Sequence, residues 1–391
     1  MLTETEKQKL DKCIGKTVDE IETPALLVDL DIMERNMDKI MEFLSQGTVG
    51  LRPHAKTHKT APIARMQIEK GAVGITCATV GEAEVLVDGG IKDVLITNRV
   101  VSKNKIERAA ILAKKADLIV AIDCEENLAD ISSLAVPHGV KIGIIVEVDT
   151  NNGRAGVRTI EEAISLAKLA SELPGVAYRG IMGYEGHCVF IPSLEERRKV
   201  SVQSYDRLFE YKRALSDAGF EPEIVSSSGT GTYPIAGRHE GITDIQPGSY
   251  IFMDARYADI EGVDFEQSLT VLSTIVSNPE QGVYICDAGI KSMSEEFGLV
   301  LALPSYGLKV KGMSEEYITL LADDSKAETK PYLGAIDRMY GQQVQQLGVG
   351  SRIHLVPSHC CTTVNLHDVI YATRNGKVQN VWRVAGRGRF A

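Results

Sequence analysis

Eight β-rich runs, most of them separated from the next by a helix-forming stretch, are the strongest constraint on how this chain can fold. The runs begin at Val49, Val73, Asp93, Leu118, Lys141, Tyr178, Glu223 and Ile242. Between most of them lie stretches such as GEAEVLVDG, KIERAAILAKKA and TIEEAISLAKLASEL, whose apolar residues recur at three and four positions, the period of a helix packed on one face. Eight such units within roughly 200 residues match the cadence of a closed parallel (β/α)8 barrel of the TIM type. An open doubly wound sheet shows the same alternation, so the count of eight carries the preference.

After Asp264 the pattern changes. LTVLSTIVS, GVYICDAG, EYITLLA, RIHLVPS and VIYATRN are β-branched runs punctuated by turn residues, the pattern of a mostly antiparallel β domain. The expected division is therefore a barrel over residues 23–264 and a β domain over 265–391 joined by residues 1–22. The opening run TPALLVDL links the two, with Asp29 or Asp31 capping a helix from Met33 to Leu44.

Composition narrows the class of partner. With 43 basic and 53 acidic residues the net charge is −10, which disfavours a nucleic-acid or anionic-membrane surface while allowing a local pocket for a small anion. No apolar run approaches the length of a membrane helix. The start, MLTETEKQKLDK, is charged and lacks the apolar core of a secretory signal. The seven cysteines are scattered and odd in number, so a reduced, cytoplasmic protein is expected.

Chemistry-bearing residues concentrate where barrel strands end, the face on which such barrels carry their sites. The first strand ends in LRPHAKTHK. If the strand continues, Arg52, His54 and Lys56 project together, and a lysine hemmed by cations has its amine pKa lowered and becomes a nucleophile for a carbonyl. A solvated basic loop explains the same string, and a metal pair of His54 and His58 needs a helix there. IVSSSGTGTYP and DIQPGSYIF end the seventh and eighth strands, where barrels of this kind bind phosphate. Their donors are Ser228, Gly229, Thr230, Gly231, Gly248, Ser249 and Tyr250. GYEGHC brings Tyr184, Glu185 and His187 to the same end, and EVDTNNGRAGVR brings Arg154 and Arg158, as site residues or as a helix-capping loop. In the β domain, His359 and Cys361 stand two apart in PSHCCTTVNL. An extended segment places both on one face with donors suited to a borderline-soft cation, and Cys360 on the other. A buried cysteine beside a hydrogen-bonded histidine is the alternative.

Taken together, RPHAKTHK, GYEGH, SGTGTY, QPGSY, DAGIKSMS and HCCTTVNL resemble the metal-dependent D-threonine aldolase and D-serine dehydratase group, fold-type III pyridoxal-phosphate enzymes related to alanine racemase. The resemblance runs from TPALLVDLD to VWRVAGRGRF. It implies that Lys56 bonds to the aldehyde of pyridoxal 5'-phosphate, that Tyr184 hydrogen-bonds the pyridine nitrogen, and that Ser228, Gly229, Thr230, Gly248 and Ser249 cradle the phosphate. It implies further that His359 and Cys361 hold a divalent metal. The substrate would be a β-hydroxy D-amino acid and the assembly a homodimer, with active sites between one barrel and the partner's β domain.

Two departures from the group's aldolases bear on the reaction. Aldolases usually pair histidine with aspartate at the metal, whereas here the second position is Cys361, as in the dehydratases. A thiolate favours zinc over manganese or magnesium. Aldolases also place a catalytic histidine six residues after the tyrosine; that position here is Phe190, leaving His187 as the candidate base. The leading expectation is dehydration to a 2-oxo acid and ammonia, and the alternative is retro-aldol cleavage to glycine and an aldehyde. A racemase or a non-catalytic cofactor carrier ranks behind both.

Overall fold

The computed structural model describes residues 10–323, 330–341 and 347–391. The charged start of the chain, residues 1–9, lies outside the described residues. The described residues form two compact units: one takes those of 40–248, 260–263 and 388–391, and the other those of 10–39, 249–259 and 264–387.

In chain order the strands are β1 (Ala25–Asp29), β2 (Gly50–Leu51), β3 (Ile75–Cys77), β4 (Asp93–Ile96), β5 (Asp117–Ile122), β6 (Ile142–Val148), β7 (Val176–Gly183), β8 (Ile224–Ser227) and β9 (Asp244–Ile245). Strands β2 to β9 make the parallel barrel sheet in the order β2-β9-β8-β7-β6-β5-β4-β3. Its two ends are joined by a parallel bridge between His54 and Thr76 and by N–H donation from Val73 to Leu51 and from Thr76 to Pro53. The expected eight strands are all present.

Alternation along these strands sorts side chains to two faces. Leu95, Ile119, Ala121, Ile145, Met182 and Ile224 form one small buried cluster. Their neighbours Val94, Ile96, Leu118, Val120, Ile144 and Val146 pack instead with Leu86, Ala109, Leu128 and Leu166. Those last four come from helices α3 (Val80–Asp88), α4 (Lys103–Leu112), α5 (Glu125–Ala135) and α6 (Ile160–Glu172), which follow α1 (Leu30–Ser45) and α2 (Ala61–Glu69). With both faces covered, the strands read as unbroken apolar runs.

The other unit is built on β10 (Leu269–Glu280), β11 (Val283–Cys286), β12 (Leu301–Ala302), β13 (Leu308–Met313), β14 (Ile318–Ala322), β15 (Arg352–Val356), β16 (Val369–Arg374) and β17 (Lys377–Arg383). Its sheet runs β13-β14-β11-β10-β1-β16-β17, with β15 pairing β10 and β12. All pairings are antiparallel except β1 with β16.

The division differs from the expected 23–264 and 265–391. Strand β1 is buried along its whole length and finds its backbone partners in β10 and β16. The barrel closes without it, so residues 23–39 fall with the sheet. Asp29 does cap the following helix, accepting from Ile32 N at 3.0 Å, and that helix begins at Leu30 rather than Met33. Residues 249–259 also belong with the sheet, whereas 388–391 return to the barrel.

Candidate functional site

In the barrel unit, β2 stops at Leu51, so the expected alternation through Arg52, His54 and Lys56 does not hold. Arg52 is buried and ion-paired with Asp93 and Asp244. After it the chain tightens into a single 3-10 turn, Ala55–Thr57, whose N-cap His54 accepts at Nδ1 from Lys56 N (3.3 Å). Burial, reinforced by the charges of Lys56 and Lys59, holds His54 well below the ordinary imidazole value. It is therefore neutral and can act as that acceptor. Lys56 stands exposed on the turn. Lys59, the competing lysine, is committed to an ion pair with the buried carboxylate of Glu82.

Tyr184 follows β7, and its ring lies against the glycine-rich loop after β8. A Cβ on Gly229 would stand 3.3 Å from Tyr184 Cε2, so glycine is what lets backbone and ring approach. The Arg154 guanidinium lies 5.4 Å from the centre of the same ring and is paired with Glu147 at 3.3 Å. Glu147 in turn pairs with Arg99. His187 is exposed on the turn beyond Tyr184.

Glu185, which the GYEGH motif marks with no chemical role, is the residue that orders this end of the barrel. It is wholly buried. Its carboxylate accepts from Tyr205 Oη (2.8 Å), Ser227 Oγ (2.9 Å), Ser228 N (3.3 Å) and Thr232 Oγ1. Those bonds hold Ser228 at a φ of +74°, a conformation a serine adopts only when its surroundings fix it. Ser228 Oγ also lies 3.0 Å from Thr232 Oγ1, and Thr230 is buried beside them in sequence. On the neighbouring strand end, a Cβ on Gly248 would meet Thr57 Oγ1 at 2.4 Å, so this glycine lets the β9 loop close on the Lys56 turn. A loop of small hydroxyl and glycine residues braced from beneath, an uncommitted lysine and a tyrosine ring at glycine backbone together fit a phosphorylated aldehyde cofactor.

In the sheet unit, His359 and Cys361 do come together, though not through an extended segment. His359 is the N-cap of a short helix, Cys360–Val364, and the turn of that helix brings donor atoms of His359, Cys360 and Cys361 within 4.8 Å of one another. Cys360, expected on the opposite face, is buried, and its sulfur joins the cluster instead of pointing away. Burial pushes its thiol well above the usual range. Ser249, expected to serve phosphate, has its hydroxyl 3.6 Å from Cys361 Sγ. Tyr250, expected as another donor, is fully buried with its ring 5.5 Å from Phe265.

His359 Nδ1 lies 2.8 Å from Oδ2 of Asp254, a fully buried carboxylate. Burial alone would lower this imidazole, but the Cys361 sulfur and the Asp254 carboxylate outweigh it and push His359 up to about 11. An imidazole and thiols converging within 4.8 Å are the donor set of a borderline-soft divalent cation such as zinc. Nothing in the spacing of the sequence marks Asp254, which lies 105 residues from His359.

No helix among the described residues is long and apolar enough to cross a membrane. Residues 28–256 match the family described as alanine racemase, N-terminal domain, and residues 268–373 match the putative serine dehydratase domain. The 3-hydroxy-D-aspartate aldolase of Paracoccus denitrificans (strain Pd 1222) is 35% identical over 385 residues, covering 96% of this chain and 94% of the relative. The D-threo-3-hydroxyaspartate dehydratase of Delftia sp. (strain HT23) is 26% identical over 361 residues, covering 88% and 92%. Among solved structures, D-threonine aldolase from Filomicrobium marinum superposes with a TM-score of 0.88 at 33% identity, covering 97% of this chain and 98% of that one.

Proposed function

The chain belongs to the fold-type III pyridoxal-phosphate family in which an alanine racemase-type N-terminal domain is joined to a serine dehydratase-type domain, and on that premise we propose that it is a metal-dependent lyase that dehydrates β-hydroxy D-amino acids. The observation that carries the dehydratase reading is Cys361 beside His359. A thiolate–imidazole pair selects zinc over the harder cations that carboxylate ligands favour.

Pyridoxal phosphate, when bound, supplies the electron sink that makes the substrate's Cα proton acidic. Lys56 Nζ would take that proton, and Tyr184 would hydrogen-bond the pyridine nitrogen. The Glu185-braced loop with Ser228, Gly229 and Thr230 would hold the phosphate, and Gly248 lets the adjoining β9 loop close. His54 and Arg154 hold the Lys56 turn and the Tyr184 ring in place. A divalent metal on His359 and Cys361 would supply a Lewis acid for the β-hydroxyl. Loss of the Cα proton and of hydroxide forms a Cα=Cβ double bond, and hydrolysis of the released enamine gives a 2-oxo acid and ammonia.

The higher identity with the two aldolases favours a second reading. In retro-aldol cleavage a base removes the β-hydroxyl proton, the Cα–Cβ bond breaks, and glycine and an aldehyde leave. His187 is the exposed group available for that task. Purified protein with pyridoxal phosphate and zinc or manganese is to be offered D-serine, D-threonine and both D-3-hydroxyaspartate diastereomers. Ammonia with a 2-oxo acid is the expected product pair; glycine with an aldehyde overturns dehydration and makes His187 the base.

A further inference from the structure

Asp254 lies outside every motif that pointed to the metal pair, yet it is built into that pair from below. Its side chain is fully buried. Oδ1 accepts from Tyr257 N at 2.9 Å; Oδ2 accepts from Cys360 N at 3.0 Å and faces His359 Nδ1 at 2.8 Å. A buried carboxylate is costly unless its charge is matched. Two backbone N–H groups and one imidazole nitrogen are what match it here. Nδ1 faces a carboxylate, which can only accept, so Nδ1 carries the hydrogen. The ring nitrogen left to meet a cation is Nε2.

We propose that Asp254 is the positioning residue of the metal pair, fixing His359 in the Nδ1–H form with Nε2 presented to the cation. Carboxylates that take the second N–H of a ligating histidine orient the ring and strengthen it as a ligand. Ser249 serves Cys361 in the same way, its hydroxyl standing 3.6 Å from the sulfur. Both supporting groups come from one short stretch, Ser249–Asp254, while both ligands come from another. This inference rests on the reading that His359 and Cys361 hold a divalent metal.

The test is a direct titration of the cofactor-loaded protein with zinc against a chromophoric chelator, comparing wild type, Asp254→Asn and Ser249→Ala. Asp254→Asn is expected to weaken zinc binding by about 10- to 100-fold while the visible cofactor band keeps its position and intensity. An intact band shows that the barrel has kept its cofactor, and a thermal midpoint in zinc-free buffer close to wild type shows that the sheet unit has folded. Zinc affinity within twofold of wild type in such a folded variant overturns the proposal. Should Asp254→Asn fail to fold, the wild type decides alone. Loaded with cadmium-113 and labelled with nitrogen-15 histidine, it is expected to show metal coupling at Nε2 of His359; coupling at Nδ1 overturns the assignment. Absence of zinc binding by wild type overturns the metal reading itself, and is told apart because the unaltered protein fails.

Discussion

Glu185 concentrates a full charge beneath the Ser228 loop, and its four donors leave no place for an amide hydrogen. In Glu185→Gln, one carboxylate oxygen becomes an NH2 group facing hydroxyls that already donate. The variant is expected to lose roughly 2–3 kcal/mol of stability, the usual cost of weakening buried hydrogen bonds to a carboxylate and leaving a buried donor without an acceptor. It should also bind pyridoxal phosphate more weakly, because Ser228 is no longer held at its positive φ. Thermal denaturation and a cofactor titration check both. At the Lys56 turn the ion pair of Lys59 with Glu82 gives a sharp expectation: Lys56→Ala loses the visible band that borohydride abolishes in the wild type, and Lys59→Ala keeps it. A band surviving in Lys56→Ala reverses the assignment. The motifs around Lys56, Tyr184, Ser228, His359 and Cys361 were readable because each is compact in sequence. Glu185 and Asp254 were not given their roles, because the groups they brace lie about 40 and 105 residues away and buried acceptors leave no periodic signal.

Among the elements, the barrel strands were the most legible, since continuous apolar runs with helical stretches between them have few other solutions. Two local readings failed for a common reason. Strand alternation predicts a shared face for Arg52–Lys56 and for His359–Cys361, and in both places the backbone turns into a short helix that resets which side chains share a face. Strand β15 carries a testable charge effect. Its His354 is buried, stacked on Tyr340 with ring centres 4.0 Å apart, and Nδ1 lies 2.9 Å from Thr270 Oγ1. Burial lowers its pKa from 6.5 to about 3. The folded form thus refuses a proton that the unfolded chain accepts. Stability is unaffected above pH 6.5 and falls as the pH drops from there toward 3, at up to about 1.4 kcal/mol per pH unit for one proton. Chemical denaturation across that range should show the decline, and His354→Gln should start less stable with a shallower acid slope.

On the scale of the whole molecule, the sequence announced two kinds of structure and misplaced the seam between them. Composition changes once, near Asp264, but the units exchange chain at several points, so among the described residues 10–39 and 249–259 fold with the sheet and 388–391 with the barrel. A strand such as β1 carries no mark of which sheet will receive it. Its apolar run suits a parallel barrel and a buried central strand equally well. What decides is backbone pairing with β10 and β16.

That pairing imposes a schedule on synthesis. Val28 pairs with Leu269 and with Ala372, so β1 receives its first partner 241 residues later and its second 344 residues later. At about 5–20 residues per second the wait for the first partner is roughly 12–48 s. In the barrel segment each strand from β4 to β9 pairs with the one made just before it, and β9 then receives β2, so the barrel can close within that interval. The leading apolar strand must meanwhile be kept from the wrong company by whatever attends the nascent chain.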